Sequence, residues 1–352
     1  MIRALWFGLL ALAAFTAAPA AAAARLFSED APLTIVITGP FNELVRKAKT
    51  NKDPYPATLT VRDGGGPVET LKIQIRARGL FRRTSGSCAF PPIGLDFGKQ
   101  APKGSLFHGD GKLKLVTYCR TGSDYEQRII MEHLSYKLYN LMTPLSYRVR
   151  AAQVTYRNAE GDAGVTRFGF LIEDTDDVAA RNGMAELEAM TGQVRSSQLD
   201  PRATARAALF EFMIGNVDWA FLAAPPGEKC CHNSYFLAAK GATPATAAGV
   251  VPVPYDWDWS GFINPPYATV PPTLPISRVT ERLYRGYCVS NGAIPAAIDE
   301  YRARKAELLA LVSNETRLEP AYRDRGRRFL EGFFEVIDDP DRVQSQIIKR
   351  CR

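Results

Sequence analysis

Histidine is scarce in this chain, with three among 352 residues, and no H-E-x-x-H pair occurs, which excludes the helical two-histidine site of a zinc peptidase. There is no G-x-S-x-G, so the nucleophile elbow of a serine hydrolase is missing. No G-x-G-x-x-G phosphate loop appears either; "RDGGGP" at 62–67 reads as a hairpin turn. The chain lacks a recognised nucleic-acid module and a basic stripe with interleaved aromatics, so nucleic acid is not an expected partner. Its formal charge of +7 is scattered instead of forming one block, as on a solvated basic surface. Repeats and long low-complexity tracts are absent after the first two dozen residues.

What is present begins with an export signal. Arg3 precedes a mostly apolar run at 4–18, and small residues at 20–24 offer cleavage sites, so 1–24 is read as a signal peptide. The rival reading is an uncleaved anchor, because no charge interrupts 4–24. With cleavage no stable membrane span remains, and the location is periplasmic or extracellular. The remaining 25–352 is long enough for one large two-lobed domain or two ordinary ones.

Six cysteines, an even number behind an export signal, predict disulfides. Cys88 and Cys119 are the first candidate pair, since each lies beside a strand-like run. Cys230-Cys231-His232 lacks the separated ligand pairs that wrap zinc.

Alternating runs at 33–39, 57–63, 71–79, 93–97 and 112–119 predict a half-buried antiparallel sheet. A helix is expected at 125–142, with Ile130, Leu134, Leu138 and Leu141 on one stripe and Pro144 beyond its end. Two more strands, 151–158 and 167–174, flank the turn-forming 159–164. A helix at 201–214 carries proline at its start and Gly215 at its end. Pro- and Gly-rich loops fill 222–275, and helical spacing returns at 296–312 and 321–337. A β-rich lobe at 25–172 followed by an α-rich lobe at 173–352 is an α+β arrangement.

The run "VPVPYDWDWSGF" at 251–262 sets Asp256 and Asp258 among aromatic residues. Read as a strand, it puts both carboxylates on one face, about 7 Å apart, opposite Tyr255, Trp257 and Trp259. Buried acids need a cation or hydrogen bonds, so Asp258 capping a turn and Asp256 paired with an arginine is the plain structural reading. Upstream, the 201–214 helix runs into Gly215-Asn216-Val217-Asp218, and "CCHNSYF" brings Asn233 into a short strand. Helix, acid-bearing loop, asparagine, strand and a later acid before glycine is the order of parts in phosphoryl-transfer kinases. A paired-carboxylate glycosidase stays open, since sequence gives no distance between acids.

These parts, together with "IQIRARGLFRR", "PPIGLDF", "LKLVTYC", "EHLSYKLYNLM" and "GFLIED", resemble the spore coat protein H-type (CotH-like) kinases over about 70–265. The resemblance implies a two-lobed, atypical protein-kinase-like fold and Mg²⁺-ATP as cofactor, with Mn²⁺ as the alternative ion. It makes Asp218 the catalytic base and gives the metal to Asn233 and Asp256, with Asp258 as a secondary ligand. Lys114, or Lys112 in its stead, meets the nucleotide phosphates; Glu132 holds that lysine, although Glu126 fits the helix stripe better, and Arg78 approaches phosphate. The acceptor is a hydroxyl on a protein or small molecule. An inactive pseudokinase or binding module of the cell envelope and a carbohydrate phosphotransferase are the alternatives.

One departure from the family pattern is the fourteen residues between Asp218 and Asn233. That loop must fold back, and a disulfide from Cys230 or Cys231 to Cys288 is the expected clasp. "HGD" at 108–110 is a decoy, because it precedes the strand.

Overall fold

A computed structural model describes residues 25–63, 66–98 and 101–352. The expected signal peptide at 1–24 lies outside the described residues, and so do the central residues of the 62–67 turn. Seven strands come first: β1 (Leu33–Gly39), β2 (Tyr55–Asp63), β3 (Gly66–Ala77), β4 (Ile93–Asp96), β5 (Lys112–Val116), β6 (Val149–Asn158) and β7 (Val165–Ile172). Short helices α1 (Phe41–Lys47) and α2 (Phe81–Thr84) and the long α3 (Ser123–Met142) are inserted between them.

The strands do not form the open sheet of a kinase N-lobe. In the order β1-β2-β3-β4-β5-β7-β6 they close into a barrel. Closure comes from β1, which pairs antiparallel with β2 on one side and parallel with β6 on the other, from Leu33↔Ala152 to Gly39↔Asn158. The expected two-lobed kinase-like fold is therefore corrected to a closed, mixed seven-stranded barrel with helices. The physical reason is that a strand alternates its side chains identically in an open sheet and in a barrel. Nothing in the period says whether the last edge finds the first. Ile35, Ile37, Leu59, Ile75, Ile93, Leu115 and Leu171 belong to one buried core, together with Phe90 and Tyr156.

Five short strands and six helices follow the barrel. They are α4 (Thr175–Arg181), β8 (Ala185–Glu186), β9 (Ala189–Met190), α5 (Pro201–Ile214), β10 (Lys229–Cys230), β11 (Ser234–Ala238), β12 (Val251–Pro254), α6 (Ile294–Ala303), α7 (Lys305–Ser313), α8 (Pro320–Ile337) and α9 (Pro340–Gln346). The single helix expected at 296–312 is broken at Arg304, which separates α6 from α7. A second core joins α3, α5 and α8 to Val149, Phe168, Phe170 and Ile172 of the barrel wall. Thus α3 mediates between barrel and helices. Among the described residues no helix is long and apolar enough to cross a membrane.

Three disulfides are formed. Cys88–Cys119 is the pair expected from sequence. The expected clasp to Cys288 is not made: Cys288 joins Cys351, and Cys230 joins its neighbour Cys231.

Candidate functional site

Helix α5 aims the first piece of the site. Asp200 caps its start by accepting from Ala203 N at 2.7 Å, and Gly215 ends it with φ +65°, a left-handed turn that costs glycine little. The buried Asn216 then organises the loop. Its Oδ1 accepts from Asp218 N at 3.0 Å, its Nδ2 donates to Glu211 Oε2 at 2.8 Å, and its carbonyl accepts from Trp219 Nε1 at 3.1 Å. The fourteen-residue loop folds back without the expected clasp. Ala220 N donates to His232 O at 3.1 Å and His232 N to Ala223 O at 2.9 Å, so the chain returns beside its origin. There Asn233 Nδ2 donates to Asp218 O at 2.6 Å and Oδ2 at 3.1 Å, while His232 Nε2 donates to Asp218 Oδ1 at 2.8 Å. Asn233 sits at φ +53°, a conformation asparagine tolerates better than most residues.

The aromatic acid pair arrives from β12, but not as a strand. β12 stops at Pro254, and Asp256 has φ +64°. The alternation expected at 251–262 therefore fails at the residue where it mattered. Trp257 is fully buried, and its Nε1 donates to Glu211 Oε1 at 3.1 Å. Asp256 N donates to Tyr136 OH of α3 at 3.1 Å, and buried Asp258 accepts from Tyr267 OH at 2.9 Å. A tryptophan anchor thus fixes the backbone between two acids.

Asp218, Asn233, Asp256, Asp258, Glu132 and Arg78 all line one cavity of about 470 Å³. Burial raises the Glu132 carboxyl above the carboxylate range, and the nearby Asp258 adds to this. Asp258 is raised by burial and then by Asp256. The His232 imidazole is held above its ordinary value by its bond to Asp218.

The remaining expected residues lie elsewhere or pair differently. Lys112 is exposed, with Nζ 3.9 Å from Asp96 Oδ2. Lys114 places Nζ 4.6, 5.1 and 5.9 Å from the ring centroids of Tyr255, Tyr235 and Tyr147, and burial lowers its pKa to about 8. Glu132 faces Arg82, with Oε2 3.7 Å from Nη1, instead of a lysine. Glu126 accepts from Phe168 N at 2.7 Å, a bond between α3 and the barrel wall. Asp110 of "HGD" is buried outside this cavity, its carboxyl raised to about 7 by burial. Sequence reasoning missed Arg82 and His232 as site residues. The first lay inside the quoted "GLFRR"; the second was weighed only as a zinc ligand.

The cavity offers oxygen acceptors of the kind that a hard divalent cation takes. Asn233 spends its Nδ2 on Asp218, which leaves Oδ1 as its acceptor, and Glu132 Oε2 is buried without a hydrogen-bond partner. Among the described residues no three His, Cys, Asp or Glu side chains form a ready metal-binding group. An ion here would rest on one or two protein oxygens plus ligand phosphates, which is how magnesium is usually bound.

Glu211 supplies a stability test beneath the site. Burial pushes its carboxyl up to about 8, against the lowering effect of its bonds from Asn216 and Trp257. A raised carboxyl favours the folded state fully below its ordinary value and loses that contribution as pH rises through about 8. The melting temperature is expected to fall from pH 5 to pH 8, with a shallower fall for Glu211→Gln. Parallel wild-type and variant profiles in thermal melts would count against it.

No protein-family model matches the chain, and no curated protein matches it.

Proposed function

We propose that the protein is an exported phosphotransferase that uses Mg²⁺-ATP to phosphorylate a hydroxyl, with protein as the acceptor. The observation that carries the reading is that Asp218, Asn233, Asp256 and Asp258, from three separate stretches, share one cavity with Glu132 and Arg78. The likeness of these stretches to the spore coat protein H-type kinases supports the same chemistry, here on a barrel. Asp218 is the base: it takes the proton of the acceptor hydroxyl, whose oxygen attacks the terminal phosphorus while ADP leaves. His232 and Asn233 hold its carboxylate in place from either side. Asn233 and Asp256 are the residues that would hold the ion, which neutralises phosphate charge when bound. Lys114 is the lysine that the family likeness gives to the nucleotide phosphates; it is not among the residues that line the cavity, and its ammonium lies over the Tyr255 ring. Rate comes mainly from positioning and charge.

A ring-bearing small molecule such as a sugar is the second acceptor reading. It is favoured by the cavity's rim, where half-exposed Phe81 meets Trp259 edge-on at 4.5 Å beside exposed Leu80.

Thermal melting tests the nucleotide site. The midpoint should rise with Mg²⁺-ATP concentration, reaching about 2.7 kcal/mol of added stability at a hundred times Kd. A flat response would leave an envelope binding module as the better account.

A further inference from the structure

Arg82 is the one buried cation of the cavity to which the scheme above gives no task. It is the second residue of α2, buried, and mounted on rigid neighbours: Nη2 donates to Thr117 O at 2.7 Å, beside the Cys88–Cys119 disulfide. The adjacent Arg83 ties the same turn to the carbonyls of Gly79, Ala48 and Lys49. Arg82 Nη1 stops 3.7 Å from Glu132 Oε2, beyond hydrogen-bond range. Arg82 Nε and Glu132 Oε2 are both buried with no hydrogen-bond partner. A buried guanidinium with an unpaired Nε, beside a carboxyl that burial pushes toward its neutral form, is costly unless something completes its bonding. The space they line already holds Asp256 and Asp258. An anionic ligand meets positive charge here at Arg82 and Arg78, and phosphate oxygens that arrive with a divalent cation bring the charge that offsets Asp256 and Asp258.

We propose that Arg82 is a phosphate-binding residue of this cavity, offering nucleotide phosphate oxygens the N–H groups that its Nη2 bond to Thr117 O leaves free, with Glu132 as the positioning residue that steadies its guanidinium. The proposal rests on the Mg²⁺-ATP reading and adds a residue to it. Guanidinium is planar, always charged and carries five N–H donors in fixed directions, so it can keep its bond to Thr117 O while other N–H groups meet phosphate oxygens, which a lysine ammonium does less directionally. Lys114 has its ammonium over three tyrosine rings. Arg82 is therefore the better-placed donor for the phosphate chain.

Calorimetric titration of the full chain with Mg²⁺-ATP separates the outcomes, because misfolding lowers the stoichiometry while loss of a phosphate contact raises Kd. Arg82→Gln is expected to raise Kd at least about tenfold at unchanged stoichiometry. Arg82→Lys keeps a charge opposite Glu132 and serves if the first variant does not fold; its Kd should rise about three- to tenfold. If the wild type binds Mg²⁺-ATP and a folded variant binds it within twofold, Arg82 is structural and this proposal is overturned, while the nucleotide reading stands. A wild type that binds no Mg²⁺-ATP overturns both.

Discussion

Asp218→Ala is expected to reduce transfer of labelled phosphate from ATP by about 10²- to 10⁴-fold, the range that a positioned proton acceptor contributes. The alanine variant also leaves His232 Nε2 and Asn233 Nδ2 without the carboxylate they both contact. Asp218→Asn is therefore the sharper form of the experiment. Its amide has nearly the carboxylate's shape and keeps an oxygen acceptor, but it cannot take a proton. The expected result is a similar loss of transfer with an unliganded melting temperature close to wild type. Transfer by the asparagine variant within twofold of wild type would remove Asp218 from the chemistry.

The second large effect concerns Trp257, which stands between the two acids. Its ring packs 4.6 Å from Tyr136, 5.0 Å from Phe210 and 5.9 Å from Tyr139, centroid to centroid. Replacing a fully buried tryptophan with alanine costs about 3–5 kcal/mol in lost transfer and cavity terms. Loss of the Nε1 bond to Glu211 adds about 1–3 kcal/mol, since a buried acceptor is left without its donor. Trp257→Phe keeps much of the packing and should lose mainly the bond. Urea denaturation should rank wild type above phenylalanine above alanine. Stabilisation by Mg²⁺-ATP should vanish in the alanine variant, because Asp256 and Asp258 lose the anchor that sets their backbone. An alanine variant within 1 kcal/mol of wild type would mean the tryptophan does not organise the site.

Much of the local structure was legible. The 201–214 helix appears with the expected bounds, because proline at its start and glycine at its end mark both termini. The 33–39 strand is found at its expected bounds, and the helix expected at 125–142 starts two residues earlier, at Ser123; both are marked by their period together with the Gly and Pro at their ends. The Cys88–Cys119 pair could be anticipated because both cysteines flank strands that pair nearby. The other two bridges could not: one joins adjacent residues, and the other spans a sequence separation of 63.

The site was legible as a set of positions but not as geometry. Asp218, Asn233, Asp256 and Asp258 could be named from the order of helix, loop, strand and turn. The strand reading of 251–262 misplaced the acid pair, because a left-handed Asp256 carries no compositional mark. Tryptophan burial and the Tyr136 contact select that backbone, and both depend on α3, more than a hundred residues upstream. Arg82 went unnoticed as a site residue for a similar reason: its proximity to Glu132 exists only once α2 and α3 are packed.

By itself, then, the sequence determined the short-range features: strand and helix periods, the termini set by Pro201 and Gly215, and a run of acids and amides of the right type for a hard cation. These follow from forces acting within a few residues, through dihedral preference and side-chain alternation. Tertiary structure alone decided that β6 returns in parallel to close the barrel on β1, and that Glu132 faces an arginine while Lys114 rests on tyrosines. It also decided that polar groups from three separate stretches share one cavity. Those outcomes depend on which apolar surfaces bury against each other across the whole chain, and a one-dimensional pattern does not encode that choice locally.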